Sequence, residues 1–167
     1  MCCIYCHYFP SNPTGIELVH STSIKVCHNL RINHHKTFAG LAYRGKGTMG
    51  WLYGFKLYLI VNHQGGIVAA KVTPSYVHDT KPVNEMLYSD MNKLYADKEY
   101  ISKALSSELL ENGVTLVTNV RKNMKAKAMS LWDRSMLSKH FIIETNQRPV
   151  KKYIPSRALY TPQRAWF

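Results

Sequence analysis

Apolar residues alternate with polar ones along much of the chain and predict a series of β-strands. The pattern predicts strands over residues 16–26, 51–61 and 67–73, with residues 62–66 forming a hairpin turn between the last two. Two shorter apolar runs, 94–97 and 114–120, predict further strands. In the 51–61 strand the odd positions from Phe55 to Val61 share one face, and Tyr58 and Ile60 occupy the other. Residues 27–50 are basic and glycine-bearing and predict a loop.

Helical spacing predicts three helices between and after these strands. Asp79 to Pro82 is typical of a helix start, leading into Val83, Met86 and Leu87. Ser102 is expected to cap a second helix, which Asn112-Gly113 would end. A long basic helix is expected over residues 123–145. Strands and helices in this order predict an α/β fold, with a mixed sheet and helices packed on it.

Composition is that of one globular domain. The chain has 167 residues, of which 46% are hydrophobic and 19% charged. The apolar run at 57–61 is far too short for a membrane span. The first residues lack the pattern of a secretory signal, so we expect a cytoplasmic protein with no membrane partner.

The net charge of +12 favours a polyanionic partner. No acidic residue occurs between Glu17 and Asp79. We expect DNA phosphates to be bound by basic residues in that stretch and in the C-terminal third: Lys25, Arg31, Lys36, Arg44, Lys46, Lys56, Arg121, Lys122, Lys125 and Lys151. The alternative is a solvated surface that is merely rich in lysine.

The four cysteines do not suit a disulfide scaffold. Cys3, Cys6 and His7 with Cys27-His28 suggest zinc, but the second pair is adjacent in sequence and fits tetrahedral ligation poorly. We expect free thiols.

Two carboxylates stand at positions that predict chemistry. Asp97 ends a short apolar strand, and Glu144 follows Leu137 and Phe141 at the spacing of one helix face. Because unpaired charges are rarely placed toward a core, these two acids suggest a metal site acting on a polyanion. Two-metal phosphoryl transfer would need a third carboxylate, expected on the first strand, which should lie beside the short strand that Asp97 ends. Alternatively, Asp97 only caps a turn and Glu144 pairs with Lys139 or Arg148.

Several short motifs, in order, resemble the DDE-type transposases of bacterial insertion sequences, whose catalytic core is RNase H-like. The similarity runs from about Gly15 to Thr145. The matching segments are 21–29, 44–51, 53–57, 78–82, 95–98 and 142–145. The resemblance makes Asp97 and Glu144 catalytic residues and metal ligands. His20 stands where the family has its first aspartate, and Glu99 where it usually has glycine.

The resemblance implies a DNA transposition enzyme that uses Mg²⁺, with Mn²⁺ as a substitute. Its partners would be the ends of the element and target DNA, on which it could form a homo-oligomer. We interpret this chain as a truncated, degenerate copy, with an irregular remnant at 1–15, a partial RNase H-like core at 16–145 and a divergent basic tail at 146–167 that resembles translation in a shifted frame. The sheet would be incomplete at both ends, and His20 would leave the enzyme inactive. The alternatives are a non-enzymatic DNA-binding remnant and a gene product without function.

Overall fold

The computed structural model describes residues 5–8, 11–47, 50–120, 123–124 and 128–139. The strands are β1 (Tyr5–Tyr8), β2 (Ile16–Cys27), β3 (Tyr43–Gly47), β4 (Gly50–Asn62), β5 (Ile67–Pro74), β6 (Lys93–Ala96) and β7 (Thr115–Thr118). The α-helices are α1 (Lys103–Glu111) and α2 (Leu131–Ser138). Short 3₁₀ helices lie at Asn29–His34, Asn84–Met86 and Lys98–Tyr100.

One mixed sheet organises these elements. The strand order is β1-β5-β4-β2-β6-β7, and β3 pairs with β4 as a hairpin. Neighbouring strands in the part β1-β5-β4-β2 pair antiparallel, whereas β2, β6 and β7 are parallel to one another. The predicted mixed α/β sheet is therefore confirmed. The long strands β2 and β4 lie side by side at its centre.

Each face of the sheet is covered by a separate apolar layer. Val19, Tyr58 and Ile60 point to one face, where they pack with Leu105 and Leu109 of α1. The alternate residues, among them Leu18, Leu59 and Tyr95, point to the other face and pack with Met136 and Leu137 of α2. The period of two that predicted the faces of the 51–61 strand is confirmed for Leu57, Leu59 and Val61 against Tyr58 and Ile60.

The second predicted helix is confirmed at both ends. The Ser102 hydroxyl accepts the Leu105 amide at 3.4 Å at the start of α1. Asn112 caps its last turn, and Gly113 follows with a φ of 76°. The helix lies between the parallel strands β6 and β7, as a parallel crossover requires.

Other predicted elements were wrong. No α-helix begins at Asp79, because its carboxylate binds side chains of the sheet instead of helix amides. Residues 79–83 form turns, and only Asn84–Met86 is helical, as a 3₁₀ helix. Among the described residues of the long basic helix, only α2 is helical, since Ser130 caps its start by accepting the Asp133 amide. The predicted loop 27–50 contains β3, and the region taken as an irregular remnant contains β1. In the described residues no helix is long and apolar enough to cross a membrane.

Candidate functional site

His20 and Asp97 occupy adjacent positions on neighbouring parallel strands. Val19 of β2 pairs with Ala96 of β6. The residues that follow these two in the chain are His20 and Asp97, so His20 and Asp97 lie side by side. The alternation of the pleat puts both on the face shared by Leu18 and Tyr95, the face that α2 covers. The predicted placement of Asp97 at the end of a strand beside the one bearing His20 is therefore confirmed.

A cleft opens where β6 stops. β6 pairs with β2 only as far as Val19, while β2 continues to Cys27. The cleft has a volume of about 610 Å³. Its lining comprises residues 20–23, Lys46, Gly47, Lys56, Asp79, Asp97 and Glu99. The end of a parallel strand is a common position for functional groups in open sheets, because loops diverge there and leave room for a ligand.

Asp97 has a structural task as well as a place in the cleft. Its Oδ1 accepts the amide of Lys98 at 2.7 Å and caps the 3₁₀ helix Lys98–Tyr100. The interpretation as a turn cap is therefore correct. It does not exclude a second role, because a carboxylate has lone pairs beyond those that one amide uses.

Asp79 is the most highly connected acid of the cleft, and sequence reasoning missed it. Lys56 Nζ donates to both carboxylate oxygens at 3.1 Å, and the two side chains are only 12% and 16% exposed. Ser21 Oγ and Tyr58 Oη donate to Oδ1 at 3.0 and 3.2 Å. Burial, and then the charge of Asp79, raise the pKa of Tyr58, so this hydroxyl stays a donor. The available signal was that Asp79 is the first acid after the acid-free stretch.

Glu99 adds a third carboxylate to the same cleft. Its pKa is raised, mainly by burial and further by the negative charges of Asp79 and Asp97. Lys56 opposes this shift. From the sequence, Glu99 stood out only because the resembled family usually has glycine at this position. Asp79, Asp97 and Glu99 therefore lie close enough together in the cleft for their charges to interact.

The described residues do not complete a metal site. They contain no group of three or more His, Cys, Asp or Glu side chains arranged to hold an ion. Asp79 is already neutralised by Lys56, and imidazole, as on His20, is a poor ligand for Mg²⁺. Glu144, the other predicted ligand, lies outside the described residues.

The predicted DNA-binding residues fall into three groups. Lys46 lines the cleft and is exposed, Arg44 is exposed two residues earlier, and Lys56 is half-buried in its ion pair. Lys25, Arg31 and Lys36 are exposed but are not part of the cleft lining. The remaining four, Arg121, Lys122, Lys125 and Lys151, lie outside the described residues.

The zinc alternative rests mostly on side chains outside the described part. Cys27 is a free, half-buried thiol, and burial raises its pKa. Of Cys2, Cys3 and Cys6, the structure describes only the backbone of Cys6, within β1.

Comparison with known proteins identifies the family. The family model described as "Transposase DDE domain" matches residues 10–156. The cryo-EM structure of a piggyBac transposase synaptic complex with hairpin DNA is similar at 14% identity and a TM-score of 0.44, over 70% of this chain and 25% of that one. The chain thus spans about a quarter of that transposase. No curated protein matches significantly. Since the family model covers most of its length, this chain belongs to the transposase DDE domain family.

Proposed function

We propose that this chain is the RNase H-like catalytic core of a DNA transposase of insertion-sequence type, in a copy that binds DNA but does not cut it. The observation that supports this most directly is that His20 and Asp97 lie side by side, directly after the paired residues Val19 and Ala96 of two parallel strands. A catalytic core of this family needs an acid at each of these two positions. Here one is an imidazole, which cannot supply the missing carboxylate oxygen to a hard cation.

The RNase H-like assignment is supported by the order of strands. Three antiparallel strands, β5, β4 and β2, are extended by the parallel strands β6 and β7, with α1 on one face and α2 on the other. In this arrangement the acids of the proposed centre come from the central strand, from its parallel neighbour and from a helix on the same face. The α2 face, which His20 and Asp97 share, is where a helical Glu144 would contribute.

The proposed cofactor of the intact site is Mg²⁺, for which Mn²⁺ would substitute, held by Asp97 and Glu144. Such an ion would stabilise the charge that develops on a phosphoryl group. We propose no cleavage step for this chain, because the described residues do not complete the ligand set.

DNA binding follows from the charge around the cleft. Arg44 and Lys46 are exposed beside it and are suited to bind phosphates. Each phosphate contact by Lys or Arg releases condensed counterions, so binding of this kind weakens steeply as salt rises. We expect this binding to be independent of DNA sequence, since phosphate contacts position a duplex without reading its bases.

The test measures binding and cleavage on the same duplex DNA. Fluorescence anisotropy over a salt series should give a linear fall of the logarithm of affinity with the logarithm of salt, and Lys46→Ala should reduce that slope by about 1. Incubation with Mg²⁺ or Mn²⁺ should leave the duplex uncut. A flat salt dependence would count against DNA binding through phosphates, and cleavage that Asp97→Ala abolishes would refute the inactive copy.

A further inference from the structure

Two exposed aromatic side chains line a second groove beside the cleft. The side chain of Trp51 is 63% exposed and that of Tyr76 is 55% exposed, and both line this groove. Tyr43, 43% exposed, packs edge-on against Tyr76 with ring centroids 5.2 Å apart. Large apolar side chains that are exposed together mark a binding surface, whereas single ones are ordinary.

The groove is continuous with the cleft. It has a volume of about 520 Å³ and shares Lys46, Lys56, Asp79 and Glu99 with the cleft lining. A strand of nucleic acid lying in the cleft at Asp97 could therefore extend to Trp51 without leaving the protein surface.

Cations and an aromatic ring lie on the same side of the β3–β4 hairpin. Lys46 and Trp51 are direct cross-strand partners, so their side chains project to the same face. Arg44 also lines the groove. A ring that stacks a base, next to cations that bind the backbone, is the combination by which proteins hold single-stranded nucleic acid.

The groove is held in shape by close backbone contacts. A side chain at Gly45 would place its Cβ 2.2 Å from the carbonyl oxygen of Ser75, so β3 lies directly against the chain that follows β5. The Ser75 hydroxyl donates to the carbonyl oxygen of Tyr43. Lys56 Nζ donates to the carbonyl oxygen of Val77 at 3.2 Å. Tyr76 is thereby fixed at the groove without the ordering cost that a mobile loop would incur on binding.

We propose that this groove binds unpaired nucleotides of DNA, with a base stacked on the Trp51 indole and its phosphates on Arg44 and Lys46. The inference rests on the proposed function, because it specifies which form of DNA the region beside the cleft receives. Duplex DNA cannot stack a base on Trp51 unless that base leaves its own stack, so the groove favours a single-stranded or frayed end.

The test compares two labelled DNA probes at one salt concentration: an unstructured single strand of about 16 nucleotides, the upper end of common site sizes, and a blunt duplex of equal length. The full chain is used with Trp51→Ala, Trp51→Phe and Trp132→Ala. Trp132 is a matched control, since it is 56% exposed on α2 and lines neither the cleft nor the groove. We expect Trp51→Ala to weaken single-strand binding about tenfold, the loss of one stacked base. Trp51→Phe should retain most of the affinity, and Trp132→Ala all of it.

The outcomes separate this inference from the proposed function. If duplex binds with a steep salt dependence but Trp51→Ala leaves single-strand affinity unchanged, or weakens both probes equally, the groove assignment is overturned and DNA binding stands. If neither probe binds, both fail. If Trp51→Ala instead converts a dimer into a monomer on size exclusion with single-strand affinity intact, the aromatic surface is a contact between copies of the chain, and the proposal is wrong.

Discussion

The hydroxyl of Tyr95 donates a 2.6 Å hydrogen bond to Oδ1 of Asp133 in α2. Because Tyr95 stands two residues before Asp97 in the chain, this bond fixes α2 against the sheet close to Asp97. The Tyr95 side chain is fully buried. Its hydrogen bond is the first cause of the lowered pKa of Asp133. The face of the proposed site is therefore defined by a polar contact in addition to the apolar packing of Met136 and Leu137.

Tyr95→Phe should destabilise the protein by about 1.5–3 kcal/mol, because it removes a hydrogen bond to a charged group. Urea unfolding followed by circular dichroism measures the change. The control is Lys93→Met: Lys93 donates to the same Oδ1 at 3.2 Å, but its side chain is 44% exposed, so the loss should be below about 1 kcal/mol. Equal losses for the two variants would contradict the importance given to the buried bond.

Glu17→Gln should stabilise the protein at neutral pH. Glu17 is fully buried, its Oε2 has no hydrogen-bond partner among the residues that the structure describes, and burial raises the pKa of its carboxyl above the usual 4.5. Because the folded state holds the proton more tightly, wild-type stability falls as pH rises from 4.5 through the folded pKa. Gln has no charge to bury, so the stability of the Glu17→Gln variant should not fall in this way as pH rises. Thermal unfolding from pH 4 to 8 measures the difference, which should grow with pH; a gap that is constant with pH would exclude ionisation of Glu17 as its cause.

Local pattern was enough to predict the five strands β2, β4, β5, β6 and β7, but not β1, β3 or the polar network of the cleft. The alternation in β2 and β4 is a property of neighbouring residues, and so is the Ser102 cap. Asp79 instead binds Ser21, 58 residues away, and Lys56, 23 residues away. No local rule contains those contacts, so its typical helix-cap context gave the wrong prediction. The adjacency of His20 and Asp97 depends on the register of parallel strands, and only the family resemblance predicted it.

Gly45→Ala should be strongly destabilising, by more than about 2 kcal/mol, since overpacking against backbone forces the chain to move. Its Cβ would lie 2.2 Å from the oxygen and 2.5 Å from the carbon of the Ser75 carbonyl. Gly47→Ala is the matched control in the same strand, because its Cβ would first meet Leu52 Cδ2 at an ordinary 3.4 Å. Thermal unfolding of both variants tests this. If Gly45→Ala unfolds like Gly47→Ala, β3 does not lie against residue 75 in solution.

Asp79→Ala should cost about 3 kcal/mol, because it leaves the ammonium group of Lys56 without a counter-charge in a site where it is only 12% exposed. Lys56→Met in the Asp79→Ala background should recover part of that loss, since the unpaired charge is then removed. Urea unfolding of the wild type, both single variants and the double variant gives the coupling between the two residues. Additive losses, with no recovery in the double variant, would show that the pair is not coupled.

His20→Asp should raise the affinity for divalent metal ions, because it puts a carboxylate beside Asp97, where β2 and β6 run in parallel register. We expect a gain of about 10- to 100-fold, the range seen even for residues that only orient a metal ligand. A Mn²⁺ titration by calorimetry measures it, and Asp97→Asn in the same background should remove the gain. His28→Asp is the control for adding an acid elsewhere, since His28 is exposed and lines neither the cleft nor the groove. Equal Mn²⁺ affinity in the wild type and in His20→Asp would mean that position 20 is not a ligand position, and the explanation given for an inactive copy would then fail.

The unaltered chain should show no Mg²⁺-dependent cleavage or strand transfer, since catalysis of this kind depends on charge neutralisation by the metal ions.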